Sequence, residues 1–391
     1  MFLFALSILV GVAAIAALEV LCRRLAASDR DGRTRVVRWG VLRAIALEEG
    51  RPGRLIRCVP SPESLEFSDG YLERRTYTYE VDAAGYVMPS RVHDDPEVTI
   101  IFQGGSTTET TLVDPELRFP YLAGRLLEQQ IGRRVNAYNA GVSGSFTLDS
   151  INSLLNKHAP LRPTFVVMME AINDLQTLLF NHNTYYGRAR NRVLEIEQRR
   201  GRRNPAVLPS LAQLSHALVR RTVPHLASAC LERLAAWRGH SPEIDEFAAV
   251  RHEERRLDPD AIGAHFRRNV TLYVRVARMF GITPIVMTQA SRFYDESPAW
   301  HAHIAASVEA RTRLPFATYR QLHRSLNDIV REVGAAEHVL VIDLERRILG
   351  RSELIHDAVH FNNNGSRLAA EIISGEIARH FFATGARAAS A

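Results

Sequence analysis

Cysteine is scarce in this chain: Cys22, Cys58 and Cys230 are the only three in 391 residues. So few and so far apart, they exclude a disulfide framework and a CxxC metal site, and with them zinc chemistry on thiolates. No internal repeat appears. The charge imbalance is also small, with 49 Lys+Arg against 43 Asp+Glu for a formal +6. The basic residues are almost wholly arginine, in runs at 188–192, 199–203 and 251–256. Neither an aromatic-interleaved platform nor a reader module accompanies them, so they read as solvated helix faces rather than a nucleic-acid surface. The remainder is ordinary globular composition, 46% hydrophobic and 24% charged, which excludes wholesale disorder. The length suits two to three domain equivalents, or one large α/β domain with insertions.

One long apolar run is present. Residues 1–21 read MFLFALSILVGVAAIAALEVL, with Glu19 as the sole charged side chain. About 20 such residues match the hydrocarbon thickness of a bilayer. No basic n-region precedes the run, no small-x-small cleavage site follows closely, and Val20-Leu21 before Cys22 lacks the small residue of lipoprotein processing. The expectation is an uncleaved single-pass anchor over 1–22, in the inner membrane if the cell is bacterial; the alternative is a buried N-terminal helix. Arg23, Arg24, Arg30, Arg33, Arg35 and Arg38 follow it, a bias toward keeping the next domain cytoplasmic. Action on an envelope glycan would require the other side, so the side stays open.

Residues 23–96 form a linker and a small β preamble. The stretch 71–80 (YLERRTYTYE) alternates as a strand would, and Asp82-Ala-Ala-Gly85 suits a turn before Tyr86. From 97 to 382 strand and helix patterns alternate. Strands are expected at 98–103 (VTIIFQ), 135–140, 164–170 (TFVVMME), 282–289 and 339–345 (VLVIDLE). Helices are expected at 119–131, 148–158, 261–280, 319–333 (stopped by Gly334) and 363–382. Such alternation implies an α/β domain, a parallel sheet with right-handed crossovers and helices on both faces. Ligands in these sheets sit beyond the carboxyl ends of the strands. About 90 residues, 175–260, break the rhythm; they read as a helical insertion, a lid over the active-site end being one use.

Polar residues of complementary type follow the strands. Gly104-Gly105-Ser106 comes after the first, Gly141-Val-Ser143-Gly144 after the second, Ala171-Ile-Asn173-Asp174 after the third, and Asp357-Ala-Val-His360 after the fifth. Each alone is equally an ordinary turn, helix cap or surface pair. Together they supply a nucleophile in Ser106, a base in His360 and an orienting carboxylate in Asp357. The N–H groups of Ser106 and Gly144 and the Asn173 amide supply three donors for an oxyanion. His301-Ala-His303 near Asp295 and Glu296 is a weak metal-ligand pattern, and no metal or cofactor is expected.

The order of these blocks resembles the SGNH (GDSL-type) hydrolase family. Ser106 in GGST, Gly144 in VSG, Asn173 in AIND and His360 in DAVH match its four named residues, and Asp357 matches its aspartate. The segment Asp82-Ala-Ala-Gly-Tyr86 also resembles the lead-in of bacterial membrane-anchored members. Gly105 stands where the family often has aspartate, and Ala171 where it often has glycine. The resemblance implies a three-layer α/β/α fold of flavodoxin-like strand order 2-1-3-4-5, and metal-free ester hydrolysis through an acyl-serine. The expected substrate is a small-molecule, acetylated-glycan or lipid-like ester. Acyl transfer to a glycan hydroxyl from the same site, or glycan binding without catalysis, are the alternatives. The sequence leaves the acyl group, the alcohol part and the oligomeric state unknown.

Overall fold

The computed structural model describes residues 47–186, 256–294 and 297–383, with isolated positions at 17, 18, 20, 247 and 253. The elements below lie in the unit formed by residues 41–189 and 250–391; a second unit, 1–40 and 190–249, falls almost wholly outside the described residues. Apart from residues 17, 18 and 20, the expected anchor over 1–22 lies outside them, as does most of the expected insertion at 175–260. Among the described residues no helix is long and apolar enough to cross a membrane.

The preamble opens with β1 (Leu55–Cys58), then α1 (Pro62–Phe67), then β2 (Tyr77–Glu80), which pairs antiparallel with β1. The strand occupies only the end of the alternating run at 71–80, where Tyr77 and Tyr79 point inward. The expected turn closes with Gly85 N–H donating to the Asp82 carbonyl at 3.1 Å. Val87 N–H then donates to the Asn139 carbonyl at 2.9 Å, stitching the preamble to the main sheet.

The main sheet contains β3 (Val98–Gly104), β4 (Val135–Asn139), β5 (Phe165–Met169), β6 (Thr283–Met287) and β7 (Leu340–Ile342). Their spatial order is β4-β3-β5-β6-β7, all pairs parallel, which is the order 2-1-3-4-5 within the sheet. Between and after them run α2 (Ser106–Glu109), α3 (Phe119–Ile131), α4 (Thr147–Ser153), α5 (Ile172–Phe180), α6 (Pro259–Met279), α7 (Pro298–Thr312), α8 (Phe316–Ala336), α9 (Leu344–Ile348) and α10 (Asn363–Phe381).

Successive strand residues face opposite ways, and the apolar runs feed two separate cores. Ile101, Val166, Met168 and Val286 pack against α4, α5, α6 and α8. Ile100, Phe102, Val167, Ile285 and Ile342 pack against α3, α9 and α10. The central strands β3, β5 and β6 therefore bury both faces, which is why these segments read as continuous hydrophobic runs rather than alternating ones. The result is three layers, α/β/α.

Three departures from the sequence expectation stand out. Helix α8 runs through Gly334 to Ala336. A Cβ at residue 334 would lie 2.0 Å from Val341 Cγ2, so this glycine serves close helix–sheet packing and does not stop the helix. Strand β7 ends at Ile342 because Asp343 caps α9, accepting from Arg346 N–H at 3.3 Å. The helix expected over 148–158 starts at Thr147 and changes to a π turn over Leu154–His158.

Candidate active site

All five main strands point the same way, so the loops after β3, β4, β5 and β7 emerge at one edge of the sheet. Strand β3 ends at Gly104, Gly105 caps the next helix, and Ser106 is its first residue. That single turn is pinned by Glu109 N–H to the Gly105 carbonyl and Thr110 N–H to the Ser106 carbonyl, both 3.0 Å. From below, Gln289 Nε2 donates to Thr107 Oγ1 at 2.9 Å, while Gln289 Oε1 accepts Ile172 N–H at 2.8 Å. One buried glutamine after β6 thus ties the serine turn to the start of α5.

His360 lies on the loop between α9 and α10. The loop is closed by His356 N–H donating to the His360 carbonyl at 2.9 Å. Asp357 Oδ1 accepts the N–H groups of Val359 at 2.9 Å and His360 at 2.8 Å. Its Oδ2 meets His360 Nδ1 at 2.7 Å, and His360 Nε2 meets Ser106 Oγ at 2.7 Å. The carboxylate holds the proton on Nδ1 and leaves the Nε2 lone pair facing the hydroxyl. Enclosure in its loop pushes the Asp357 carboxyl upward, but the His360 imidazole and the loop N–H groups outweigh this and hold it well below the usual range. The carboxylate is therefore ionised at neutral pH and able to stabilise an imidazolium.

The oxyanion candidates come from the two neighbouring loops. Asn173, second residue of α5, donates from Nδ2 to the Ser145 carbonyl at 2.7 Å. An amide nitrogen carries two hydrogens, so this bond orients the group while leaving a second donor direction. A Cβ on Gly105 would fall 2.3 Å from Asn173 Nδ2. The glycine at that position is thus what lets the amide stand where it does; any side chain there, including the aspartate common in the resembled family, would displace it. The Ala171 methyl is fully buried in the core, so the step from glycine to alanine is absorbed by packing. Gly144 sits in the β4–α4 loop at φ 83°, a conformation that favours glycine. The same loop is anchored beside β3 by Val142 N–H to the Gly104 carbonyl at 3.0 Å.

Ser106, His360 and Asp357 are therefore joined by direct hydrogen bonds, Asn173 packs on the backbone next to Ser106, and Gly144 lies in the adjoining loop. Several neighbours were not singled out by the sequence. His356, 6% exposed, lies against His360 with ring centroids 5.9 Å apart and planes at 17°. Burial pulls its pKa down to about 4, so at neutral pH it presents an uncharged face. Arg292 is buried beside this loop: its N–H donates to the Ala358 carbonyl at 2.9 Å, its guanidinium lies 4.2 Å from the Trp300 ring, and it pairs with Asp69 of the preamble at 2.8 Å. Glu109 and Tyr79 brace the other side. No local sequence pattern marks any of these four, because each is buried against stretches of chain distant in sequence.

His301 and His303 lie on α7, where residues two apart project to different sides. They contact Phe316 at 4.9 Å and Phe67 at 4.5 Å respectively; Asp295 and Glu296 fall outside the described residues. Among the described residues no cluster of three or more His, Cys, Asp or Glu side chains could hold a metal ion.

No protein-family profile matches the chain, and no curated protein matches it. Among solved structures, an α/β hydrolase enzyme from the metagenome of Lake Arreo, Spain, is 13% identical with a TM-score of 0.39, over 73% of this chain and 94% of that one. A lipase/acylhydrolase from Enterococcus faecalis is 17% identical with a TM-score of 0.38, over 72% and 95%. An acetylxylan esterase from Geobacillus stearothermophilus is 13% identical with a TM-score of 0.37, over 74% and 95%.

Proposed function

We propose that this chain is a serine esterase or acylhydrolase that cleaves a carboxylic ester, on an acetylated glycan or a lipid-like substrate, and that residues 1–22 anchor it to a membrane as a single-pass helix. The observation that carries the reading is the unbroken hydrogen-bond series from Ser106 Oγ through His360 to Asp357. The order of the blocks around Ser106, Gly144, Asn173 and His360 supports it independently.

In this mechanism Ser106 Oγ forms a bond to the ester carbonyl carbon while its proton passes to His360 Nε2. The carbonyl π electrons move onto oxygen, which is received by the N–H groups of Ser106 and Gly144 and by the Asn173 amide. Asp357 stabilises the imidazolium meanwhile. Collapse of the tetrahedral intermediate breaks the bond to the alkoxy oxygen, which leaves as an alcohol with the proton from His360. Water then attacks the acyl-serine, His360 takes its proton, and a second collapse returns that proton to Ser106 and releases the acid. No metal or cofactor enters any step.

The test is hydrolysis of p-nitrophenyl acetate by the full chain and by Ser106→Ala. The variant keeps its fold and loses turnover by at least about 10³-fold; wild-type turnover in it overturns the assignment. Product analysis with a sugar acceptor separates hydrolysis from acyl transfer, since a transferase accumulates acylated sugar in place of free acid. Retention of the chain in the membrane fraction after an alkaline wash, lost on deletion of 1–22, tests the anchor.

A further inference from the structure

We propose that Glu109 is a positioning residue: it holds the Gly144 loop at a fixed distance from the nucleophile turn, and so places an oxyanion donor. The inference rests on the esterase reading above and adds a residue to it. Glu109 closes the helix that Ser106 opens, and is 6% exposed. Its Oε2 accepts both the N–H of Ser143, at 2.9 Å, and the Ser143 hydroxyl. Ser143 immediately precedes Gly144. Its Oε1 accepts the Tyr79 hydroxyl at 2.6 Å, from β2 of the preamble. The main chain of Glu109 is held as well, since its N–H donates to the Gly105 carbonyl at 3.0 Å. One side chain therefore joins three stretches of chain, and two of them carry the nucleophile and an oxyanion donor.

A carboxylate suits this task better than any neutral group. All three partners donate here, and both oxygens of the carboxyl group accept. An amide has a single accepting oxygen, so its N–H₂ would either reverse the bond to the Tyr79 hydroxyl or face the Ser143 N–H and lose that bond. Beside Tyr79 lies Arg118, itself 1% exposed, whose guanidinium donates to the Thr78 carbonyl at 2.7 Å and stands 5.8 Å from the Tyr79 ring. Burial lowers the Arg118 pKa to about 10, with Glu109 among the groups that support its charge. In the resembled family's terms this glutamate lies three residues beyond the named serine, outside the block pattern that the sequence matched.

The experiment uses the full chain, p-nitrophenyl acetate for kcat and KM, and phenylboronic acid, whose tetrahedral adduct on serine imitates the intermediate. Glu109→Gln lowers kcat by roughly 10- to 100-fold, since small misplacements of catalytic groups have effects of that order, leaves KM within about threefold, and weakens boronate inhibition by the same factor as kcat. Ser143→Ala, a small change in a partly exposed loop, lowers kcat in the same sense and carries the test should Glu109→Gln not fold. The double variant is no slower than Glu109→Gln alone, because both changes break one contact. Wild-type kcat in either single variant, or a loss confined to KM, overturns the proposal. Failure of the esterase reading is distinct: wild-type protein would then give no fluorophosphonate adduct on Ser106, whatever the variants do.

Discussion

Adding a single methyl group at Gly105 tests the oxyanion arrangement without replacing a catalytic side chain. The Gly105 backbone, at φ −80° and ψ −155°, lies in a region that alanine adopts freely, so the substitution carries no backbone strain. Its cost is steric and local. The new Cβ would fall 2.3 Å from Asn173 Nδ2 and 3.1 Å from the Ser145 carbonyl oxygen, whereas ordinary contact begins at 3.4 Å. The amide must therefore retreat by about 1 Å, and being the end of a side chain it can. The retreat breaks its 2.7 Å bond to Ser145, a net loss of about 1 kcal/mol of stability, and turns its donors away from the oxyanion position. Removing one such donor typically raises the barrier by about 2.7–4 kcal/mol, or 10²–10³ in kcat. Gly105→Ala thus loses kcat by that factor with its melting temperature lowered by only a few degrees. Asn173→Ala loses a similar factor, and the double variant loses no more than either single one. The assay is steady-state hydrolysis of p-nitrophenyl acetate beside thermal denaturation followed by circular dichroism. Full kcat in Gly105→Ala would refute the reasoning, as would additive losses in the double variant.

Asp357→Asn keeps the shape of the loop but presents an amide to His360 Nδ1, favouring the wrong tautomer; kcat falls by about 10⁴ while the fold is retained, and near-native kcat would contradict the role given to the carboxylate. His323, fully buried on α8 and edge-on to Phe293 at 5.1 Å, has its pKa lowered by burial from 6.5 to about 4. The unfolded chain binds a proton there that the folded chain refuses, so stability is lost as pH falls from 6.5 to 4. Denaturant titrations of His323→Leu should show an acid slope shallower by about 1.4 kcal/mol per pH unit in that window, and an unchanged slope would exclude this histidine as the source.

Much of this architecture is legible in the chain because each central strand is buried on two faces. The run at 164–170 and its partners leave no choice of face, so a short apolar stretch between helical patterns suffices to locate them. The four blocks at the strand ends are legible for a related reason: a parallel sheet delivers every strand's carboxyl end to one edge. Contacts between distant segments are not legible. Nothing in the local sequence marks Glu109 or Arg118 as buried, yet both lie beneath a preamble whose docking no local pattern announces. Gly334 reads as a stop because the sequence does not reveal that Val341 lies against it. Gly105 reads as a loose turn until the Asn173 amide is placed beside it.

The central claim is that Ser106 is a nucleophile activated by His360. A fluorophosphonate probe followed by peptide mass mapping tests it most directly. Wild-type protein is expected to carry one adduct, on Ser106, and His360→Ala to acquire it at least about 100-fold more slowly. An unlabelled wild-type chain, an adduct on another residue, or equal labelling in His360→Ala would contradict the account.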